Sequence, residues 1–455
     1  MIVLLPQKKH MIYSKDWSNV LSKWVFSIII VLTSQLVNAQ DTVKPLLLDD
    51  AIRMTMEQNR QIGLAKMDEK IALSQFKQTE AIWLPQLNFS YTGFITNQPL
   101  SAFGFKLQQA QVQQADFNPA ILNSPGATSN VMTQLSLQQQ LFNPEQTYMR
   151  KAALKQSEVY NFKTQRTREA IIMQVTDSYL QLEYAYDVVK VLKEALETVR
   201  EIFRFTNNRY QQGLIQKSDL LHVEVQLKAA ETNLAEANSQ INNLSDQLSL
   251  VMNSGKGWVY KTVPVIMQPN PVLPDTVPPG RSDIKALMTA VSAYDLAIKS
   301  TQKSMLPKLN AFANYQLNDK RLFGFGANAY LAGIQVSWDI FKGNHAKNKT
   351  ATQVLEKNKL QEQIQEQVEQ SNADIRKTKR QLQDTRFRIN QQSTAVEQAA
   401  EALRIVQNRY SQGLVNTTDV LMAQTQLAQQ KMLYAQAVFM QKSTFTYLQF
   451  LTINK

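Results

Sequence analysis

Apolar residues recur every seven positions along two long stretches of the chain. Val175, Leu182, Val189, Leu196, Phe203 and Tyr210 form one run; Val368, Ile375, Leu382, Ile389, Val396, Leu403 and Tyr410 form the other. A strict seven-residue repeat describes under-wound helices packed side by side as in a coiled coil. The flanking positions are mostly Gln, Asn, Lys and Glu. One narrow seam with wide polar flanks suits a helix wetted on two sides, as in the wall of a tube. Gly and Pro, the helix breakers, are missing from residues 145–212, 214–254, 344–412 and 414–455. A helix of about 68 residues would reach about 100 Å, far beyond the span of a compact domain.

Both heptad runs end on the same short motif. Arg209-Tyr210-Gln211-Gln212-Gly213-Leu214 is matched 200 positions later by Arg409-Tyr410-Ser411-Gln412-Gly413-Leu414, and each is followed by an Asp, Asp219 or Asp419. The chain is a tandem duplication. Each Gly-Leu reads as the single corner between two long helices. Gly213 and Gly413 would take the left-handed conformation just past a helix end, with Leu214 and Leu414 covering the turn. Ser218 and Thr418 are expected to cap the next helix, with Asp219 and Asp419 in its first turn, where the dipole favours negative charge.

Elsewhere the period is two. Residues 48–80 are helical in pattern, and Pro85 ends them. Leu87, Phe89 and Tyr91 then alternate with Asn88, Ser90 and Thr92, the mark of a strand at about 86–94. Leu135, Leu137 and Leu141 mark another at about 131–142. The intervening residues 95–130 hold Pro99, Gly104, Pro119, Pro125 and Gly126 and read as a long exposed loop. The second half repeats the scheme: a helix from Arg281 to Leu306-Pro307, then strands at about 308–317 and 329–341. In the last of these Tyr330, Ala332, Ile334, Val336, Trp338 and Ile340 oppose Gly333, Gln335, Ser337 and Asp339. An apolar face with Tyr and Trp near its ends, backed by a polar face, is how a membrane barrel strand is written; a half-buried soluble hairpin has the same alternation. Four strands cannot close a barrel, since the smallest have about eight. If they enter a membrane, several chains share one barrel, and three chains would supply twelve strands.

At the start, Lys15 and Lys23 precede the apolar run from Trp24 to Leu32, and Val37-Asn38-Ala39 fits a cleavage site, with Gln40 as the mature N-terminus. Translation from Met11 would keep this segment. The chain therefore divides into a signal peptide (1–39), a first repeat (40–254), a connector with six Pro residues (255–280) and a second repeat (281–455). The formal charge of +12 includes Lys8, Lys9, Lys15 and Lys23 against Asp16, so 12 − 3 leaves +9 after cleavage. The cations are interspersed with Glu and Asp, a solvated surface rather than a nucleic-acid footprint. Cys is absent, so neither disulfides nor a lipid on an N-terminal Cys can form.

Catalytic chemistry finds no foothold in the sequence. His10 precedes the mature chain, His222 stands alone in a helix, and His345 lies in a Lys-rich helix start. His222-Val223-Glu224 has neither the spacing nor the third ligand of a zinc site. No Gly-rich phosphate loop or nucleophile elbow is present. The expectation is a passage or a scaffold, with no cofactor and no resident metal.

The duplicated Arg-Tyr-x-x-Gly-Leu corner with its Asp, the Leu-Pro-x-Leu-Asn entry into a strand at 84–88 and 306–310, and the twice-repeated helix-strand-strand-helix-helix order together resemble the TolC-like outer-membrane efflux proteins over essentially the whole mature length. The resemblance implies an α+β membrane protein: a homotrimer with a shared twelve-stranded barrel in outer-membrane lipid and a periplasmic α-barrel of long coiled-coil helices. It implies an exit duct for drugs, metals or secreted proteins, served by a periplasmic adaptor and an inner-membrane pump or transporter. The corners, Arg209, Gln212, Gly213, Leu214, Arg409, Gln412, Gly413 and Leu414, would meet the adaptor. The 95–130 loop, with Ala102-Phe103-Gly104-Phe105-Lys106-Leu107, would lie outside the cell and resembles that of members serving resistance-nodulation-division pumps. The connector would form a belt around the tunnel's middle. The resemblance also implies a periplasmic gate built from Tyr410, Asp419 and Asp219. Val415 and Met422 stand at the family's arginine and second aspartate positions, so the ionic lock would be incomplete. Two alternatives stand beside it: an exit duct for type I protein secretion, which keeps the fold and changes the cargo, and an exported coiled-coil protein with structural or adhesive duties, which explains the heptads and the signal segment but not the one-sided hairpins at matching places in both repeats.

Overall fold

A computed structural model describes residues 43–255, 257–266 and 274–453; the signal segment at 1–39 lies outside the described residues. In chain order the elements are β1 (Val43–Leu46), α1 (Leu48–Gln58), α2 (Arg60–Gln78), β2 (Gln86–Thr96), α3 (Pro99–Gln108), α4 (Pro119–Asn123), β3 (Thr128–Phe142), α5 (Pro144–Gln211), α6 (Lys217–Met252), β4 (Val259–Thr262), α7 (Ser282–Lys303), β5 (Lys308–Asp319), β6 (Ala327–Ser337), α8 (His345–Ser411) and α9 (Thr417–Thr452). The two long helices, α5 and α8, run 68 and 67 residues, about 100 Å each. Pro144 sits in the first turn of α5, and the Asn143 side chain accepts from the Gln146 N–H, so the strand-to-helix switch is fixed at Asn143-Pro144.

Shorter helices complete the wall in matched pairs. Towards the corners α5 packs on α6 and α9, and α8 on α9; towards the strands α5 packs on α2 and α7, and α8 on α7. The C-terminus of α6 meets the start of α2, where Asn59 Nδ2 donates to the Val251 carbonyl at 2.7 Å and Asn253 Nδ2 to the Gln58 carbonyl. The C-terminus of α9 meets the start of α7 in the same way. There the fully buried Arg281 donates to the Leu451 carbonyl and to Ser371 Oγ, held by both oxygens of Asp283. A cation at a helix C-terminus faces the negative end of the dipole. End-to-end stacking of short helices gives a wall four helices wide at both ends.

The heptad positions fall in the packed regions. Val175 and Leu182 join a core with Tyr179, Leu248 and Met252; Ile375 joins Ile284 and Leu448; Leu403 and Tyr410 join Val199, Val223 and Val420 at the corner end. The 48–80 stretch, read as one helix, is broken at Asn59, whose Oδ1 accepts from the Gln61 and Ile62 N–H groups. Asn favours such caps because its side chain competes with the helical ladder. Alternation also missed β1 and β4, which pair in parallel; each has only four residues. The Tyr179 hydroxyl bridges the Leu46 carbonyl and the Val263 N–H, and Tyr186 donates to the Tyr260 carbonyl. The connector strand β4 is thus clamped to the middle of α5.

β2, β3, β5 and β6 form one antiparallel sheet in that order. The register Phe89↔Leu135↔Tyr315↔Tyr330 and Leu87↔Leu137↔Ala313↔Ala332 gathers the apolar set on one face. Asn88, Ser90, Asn130, Gln134, Asn314 and Gln316 share the other, since side chains alternate along a strand. A bulge between Gln140 and Phe142 lets Phe142 pair with Leu309, keeping both on the apolar side. A β-carbon at Gly333 would stand 3.0 Å from the Phe312 ring, so a larger residue there needs that ring to shift. On the apolar face Leu87, Phe89, Tyr330, Ile334 and Val336 are all at least 65% exposed in a single chain. Trp338 and Ile340 lie beyond the end of β6, and the 95–130 segment contains α3 and α4 rather than an open loop.

Candidate functional site at the helix corners

Each corner is made by one backbone device. Gly213 and Gly413 take φ of +72° and +77°, the left-handed region that other residues resist. Their N–H groups donate to the Tyr210 and Tyr410 carbonyls, and those of Leu214 and Leu414 reach back to the Arg209 and Arg409 carbonyls at 2.9 Å. This is the Schellman arrangement, which satisfies the last carbonyls of α5 and α8. The leucines do not cover the turn as expected; they project outward, 61% and 64% exposed. Gln212 and Gln412 beside them are exposed as well.

The two corners differ in how the next helix begins. Asn416, not Thr418, caps α9: its Oδ1 accepts from the Asp419 N–H at 2.9 Å, and Asp419 Oδ2 accepts from the Asn416 N–H at 3.1 Å. This reciprocal box satisfies two otherwise unpaired donors. Gln216 stands in the equivalent place before α6 without a side-chain cap bond, and Ser218 Oγ makes only a long 3.4 Å contact to Gln216 Oε1. Asp219 and Asp419 both lie in first turns, exposed. The signal for the box, Asn-x-x-Asp at a helix start, is in the sequence at 416–419.

The tyrosines differ more. Tyr410 is buried, and its hydroxyl lies 3.1 Å from Thr206 Oγ1 on α5 and 2.9 Å from Thr417 Oγ1 on α9. Its ring packs 5.0 Å from that of Phe205. Tyr210, the repeat partner, is 36% exposed. The asymmetry follows from the packing order, since α9 sits against α5 and presents the second corner to the first repeat. Arg209 reaches across the same junction, lying over the Phe205 ring and 3.9 Å from where a β-carbon at 413 would stand. Arg409 is exposed. Val415 packs against the corner core while Met422 is 67% exposed. Periodicity placed Tyr410 at the corner, but nothing in it marked Thr206 or Thr417 as its partners.

The site thus offers two exposed Gly-Leu tips, one clasp joining three helices, and a carboxylate at the head of each returning helix. Nothing in it is arranged for bond-making chemistry. A sequence model of the family described as outer membrane efflux protein matches residues 51–254 and 273–452. Solved structures share the fold. The Campylobacter jejuni CmeC outer membrane channel superposes with a TM-score of 0.76 at 15% identity, covering 89% of this chain and 85% of that one. The Vibrio cholerae outer membrane protein VceC gives 0.74 at 19%, covering 89% and 95%. The open state of the Neisseria gonorrhoeae MtrE outer membrane channel gives 0.69 at 16%, covering 89% and 88%. Among curated proteins, toxin and drug export protein A of Aggregatibacter actinomycetemcomitans is 24% identical over 162 residues, a match spanning 34% of this chain and 35% of that protein.

Proposed function

The chain belongs to the outer membrane efflux protein family, and from that premise we propose that three copies assemble into a single duct through which an inner-membrane pump discharges small molecules. Membership makes it an outer-membrane channel protein with long periplasmic helices, not an enzyme, and sets aside a purely adhesive role. The observation that supports a barrel shared between copies is the sheet, and the number three comes from the family resemblance. Its apolar face is exposed, and β2 and β6 are open edges at either end of the strand order. An unpaired edge is not viable in lipid. Eleven-residue strands such as β2 and β6, tilted by about 40°, span about 28 Å, the height of the hydrocarbon core. Three copies pair every edge in twelve strands, and three walls four helices wide make a tube of twelve.

In this reading the signal segment at 1–39 exports the chain, and the corners point into the periplasm. The exposed tips, Gln212, Gly213, Leu214, Gln412, Gly413 and Leu414, together with Arg209 and Arg409, form the surface for a periplasmic adaptor. Tyr410, Asp419 and Asp219 form the closing mouth. A threefold ring of Asp419 gathers cations, because like charges at close range deepen the local negative potential; Asp419→Ala should abolish cation block of the channel. With Val415 in the corner core rather than an arginine, the mouth depends on the hydroxyl clasp of Tyr410. The cargo class is drugs or metals with a pump of the resistance-nodulation-division type; the name of the Aggregatibacter relative, which couples toxin with drug, keeps protein export as the second reading.

Membrane extraction with chemical cross-linking tests the assembly. The protein should resist carbonate washing of outer membranes, and its cross-linking ladder should stop at three chains. Release by carbonate, or a ladder that stops at two, would overturn the trimeric duct.

A further inference from the structure

We propose that the turn between β5 and β6, residues 320–326, binds a phosphate-bearing lipid of the outer leaflet, with Lys320 and Arg321 on the headgroup and Phe323 against the chains. The site rests on the sheet being part of a shared barrel with its apolar face in lipid, as proposed above. The turn lies at the end of the sheet away from the helices, since β5 follows α7 and β6 leads into α8. Trp338, just past β6, suits the inner interface, and the eleven residues of β6 climb about 28 Å from it. That brings the turn to the level of the outer headgroups.

Three strands tie the turn down, all from the apolar face. On β2, Tyr91 shares a face with Leu87 and Phe89, because side chains alternate. The Phe323 ring stacks on Tyr91 with centroids 6.0 Å apart, and the Phe323 N–H donates to Tyr91 Oη at 2.9 Å. On β5, Asp319 stands in the next row of that face, opposite Val131 and Gly93. Its carboxylate accepts from the Arg321 N–H at 2.9 Å and the Gly326 N–H at 3.0 Å. On β3, Ser129 Oγ donates to the Lys320 carbonyl. The backbone closes so tightly here that a β-carbon at Gly324 would fall 2.2 Å from Asp319 Cγ. Phe323 holds a φ of +63°, which bulky residues resist, so its ring is set on Tyr91 against the local backbone preference. The connection between β2 and β3 takes the other face: Phe105 of α3 packs on Phe94, Gln109 Nε2 donates to Asn130 Oδ1, and Asn130 Nδ2 donates to Asn318 Oδ1.

Charge narrows the occupant. Residues 81–149 and 304–341, which hold the four strands and their outer connections, contain only the cations Lys106, Lys308, Lys320 and Arg321. Lys106 is paired with Asp116 at 2.6 Å and Lys308 with Glu145 at 2.7 Å. Lys320 and Arg321 are exposed and have no carboxylate partner among the described residues, because both oxygens of Asp319 face backbone N–H groups. Two cations beside an aromatic ring at headgroup depth match a lipid whose head carries phosphate. The guanidinium fork fits phosphate oxygens, the ammonium adds a point charge, and the ring covers the first part of a chain. A neutral headgroup would gain nothing from the cations.

The test is native mass spectrometry of the detergent-purified protein with added lipid A, and with the same lipid after its phosphates are removed. The wild type should hold lipid A about 10- to 30-fold more tightly than the double variant Lys320→Gln, Arg321→Gln, and more tightly than it holds the dephosphorylated lipid. Lys347→Gln, Lys349→Gln, which removes the same charge from the start of α8, should keep wild-type affinity. Each protein is cross-linked in parallel to count its chains, and if the first double variant fails to assemble, Arg321→Gln alone is compared with the wild type. In assembled protein, lipid A held as tightly without the turn's cations as with them, an equal loss from the α8 variant, equal affinity for the two lipids, or displacement by inorganic phosphate would overturn the lipid site and leave the duct standing. A wild-type ladder that stops at two would overturn the shared barrel, and the site with it.

Discussion

Tyr410→Phe removes one oxygen atom from the clasp and leaves the ring against Phe205. The hydroxyl joins Thr206 on α5 to Thr417 on α9, at 3.1 and 2.9 Å. Each such bond contributes a net ~0.5–1.5 kcal/mol. Thr206 is fully buried, but its hydroxyl can return to a carbonyl one turn back, which limits the penalty of leaving it unpaired. The substitution should therefore weaken the second corner by about 1–2 kcal/mol, a shift of roughly 5- to 30-fold in its local opening equilibrium. Hydrogen exchange of the amides at 410–419 measures that equilibrium directly. Tyr210→Phe is the control, because Tyr210 lies 36% exposed at the equivalent place in the repeat and its substitution should change exchange little. Equal effects of the two substitutions, or unchanged exchange in Tyr410→Phe, would refute the asymmetric clasp.

Asn416→Ala should cost about 1 kcal/mol through loss of the capping box, whereas Gln216→Ala, at a position without a side-chain cap bond, should leave exchange at the first corner unchanged. Gly213→Ala should lower the thermal midpoint although nothing lies within 4 Å of the new β-carbon, since a left-handed non-Gly residue is strained by about 1–2 kcal/mol. The Asp116 carboxyl is held below its usual 3.8, first by the hydrogen bond from Lys106 and then by the Gln113 N–H. Its contribution is full above that value and is lost as pH falls through the lower folded value. Pepsin should therefore leave residues 99–123 intact near pH 4 and cut them only in stronger acid.

What was legible from the chain is what periodicity encodes. Sevens gave α5 and α8, twos gave the four strands of the main sheet, and the repeated Gly-Leu gave the left-handed corners at 213 and 413. β1 and β4 escaped because four residues are too few for a period, and their partners lie more than 200 positions apart. The break at Asn59 was written only as a cap residue inside an apolar pattern, and Gly63 beyond it is tolerated within α2. The 95–130 segment showed its Pro and Gly residues but not the carboxamides that fold α3 back, because Gln109, Asn130 and Asn318 meet only in three dimensions. At the corner the sequence treats Tyr210 and Tyr410 alike; the fold separates them, since only the second corner rests against α5.

The account's central claim is that these corners are the periplasmic, adaptor-facing end of an outer-membrane duct. Photo-cross-linking in cells from a probe on Gln412→Cys, the sole thiol of such a chain, tests it most directly. The account predicts capture of a periplasmic adaptor protein, lost when Leu214 and Leu414 are both changed to Glu. Capture of only the protein's own copies, or of cell-wall or surface components, would contradict it.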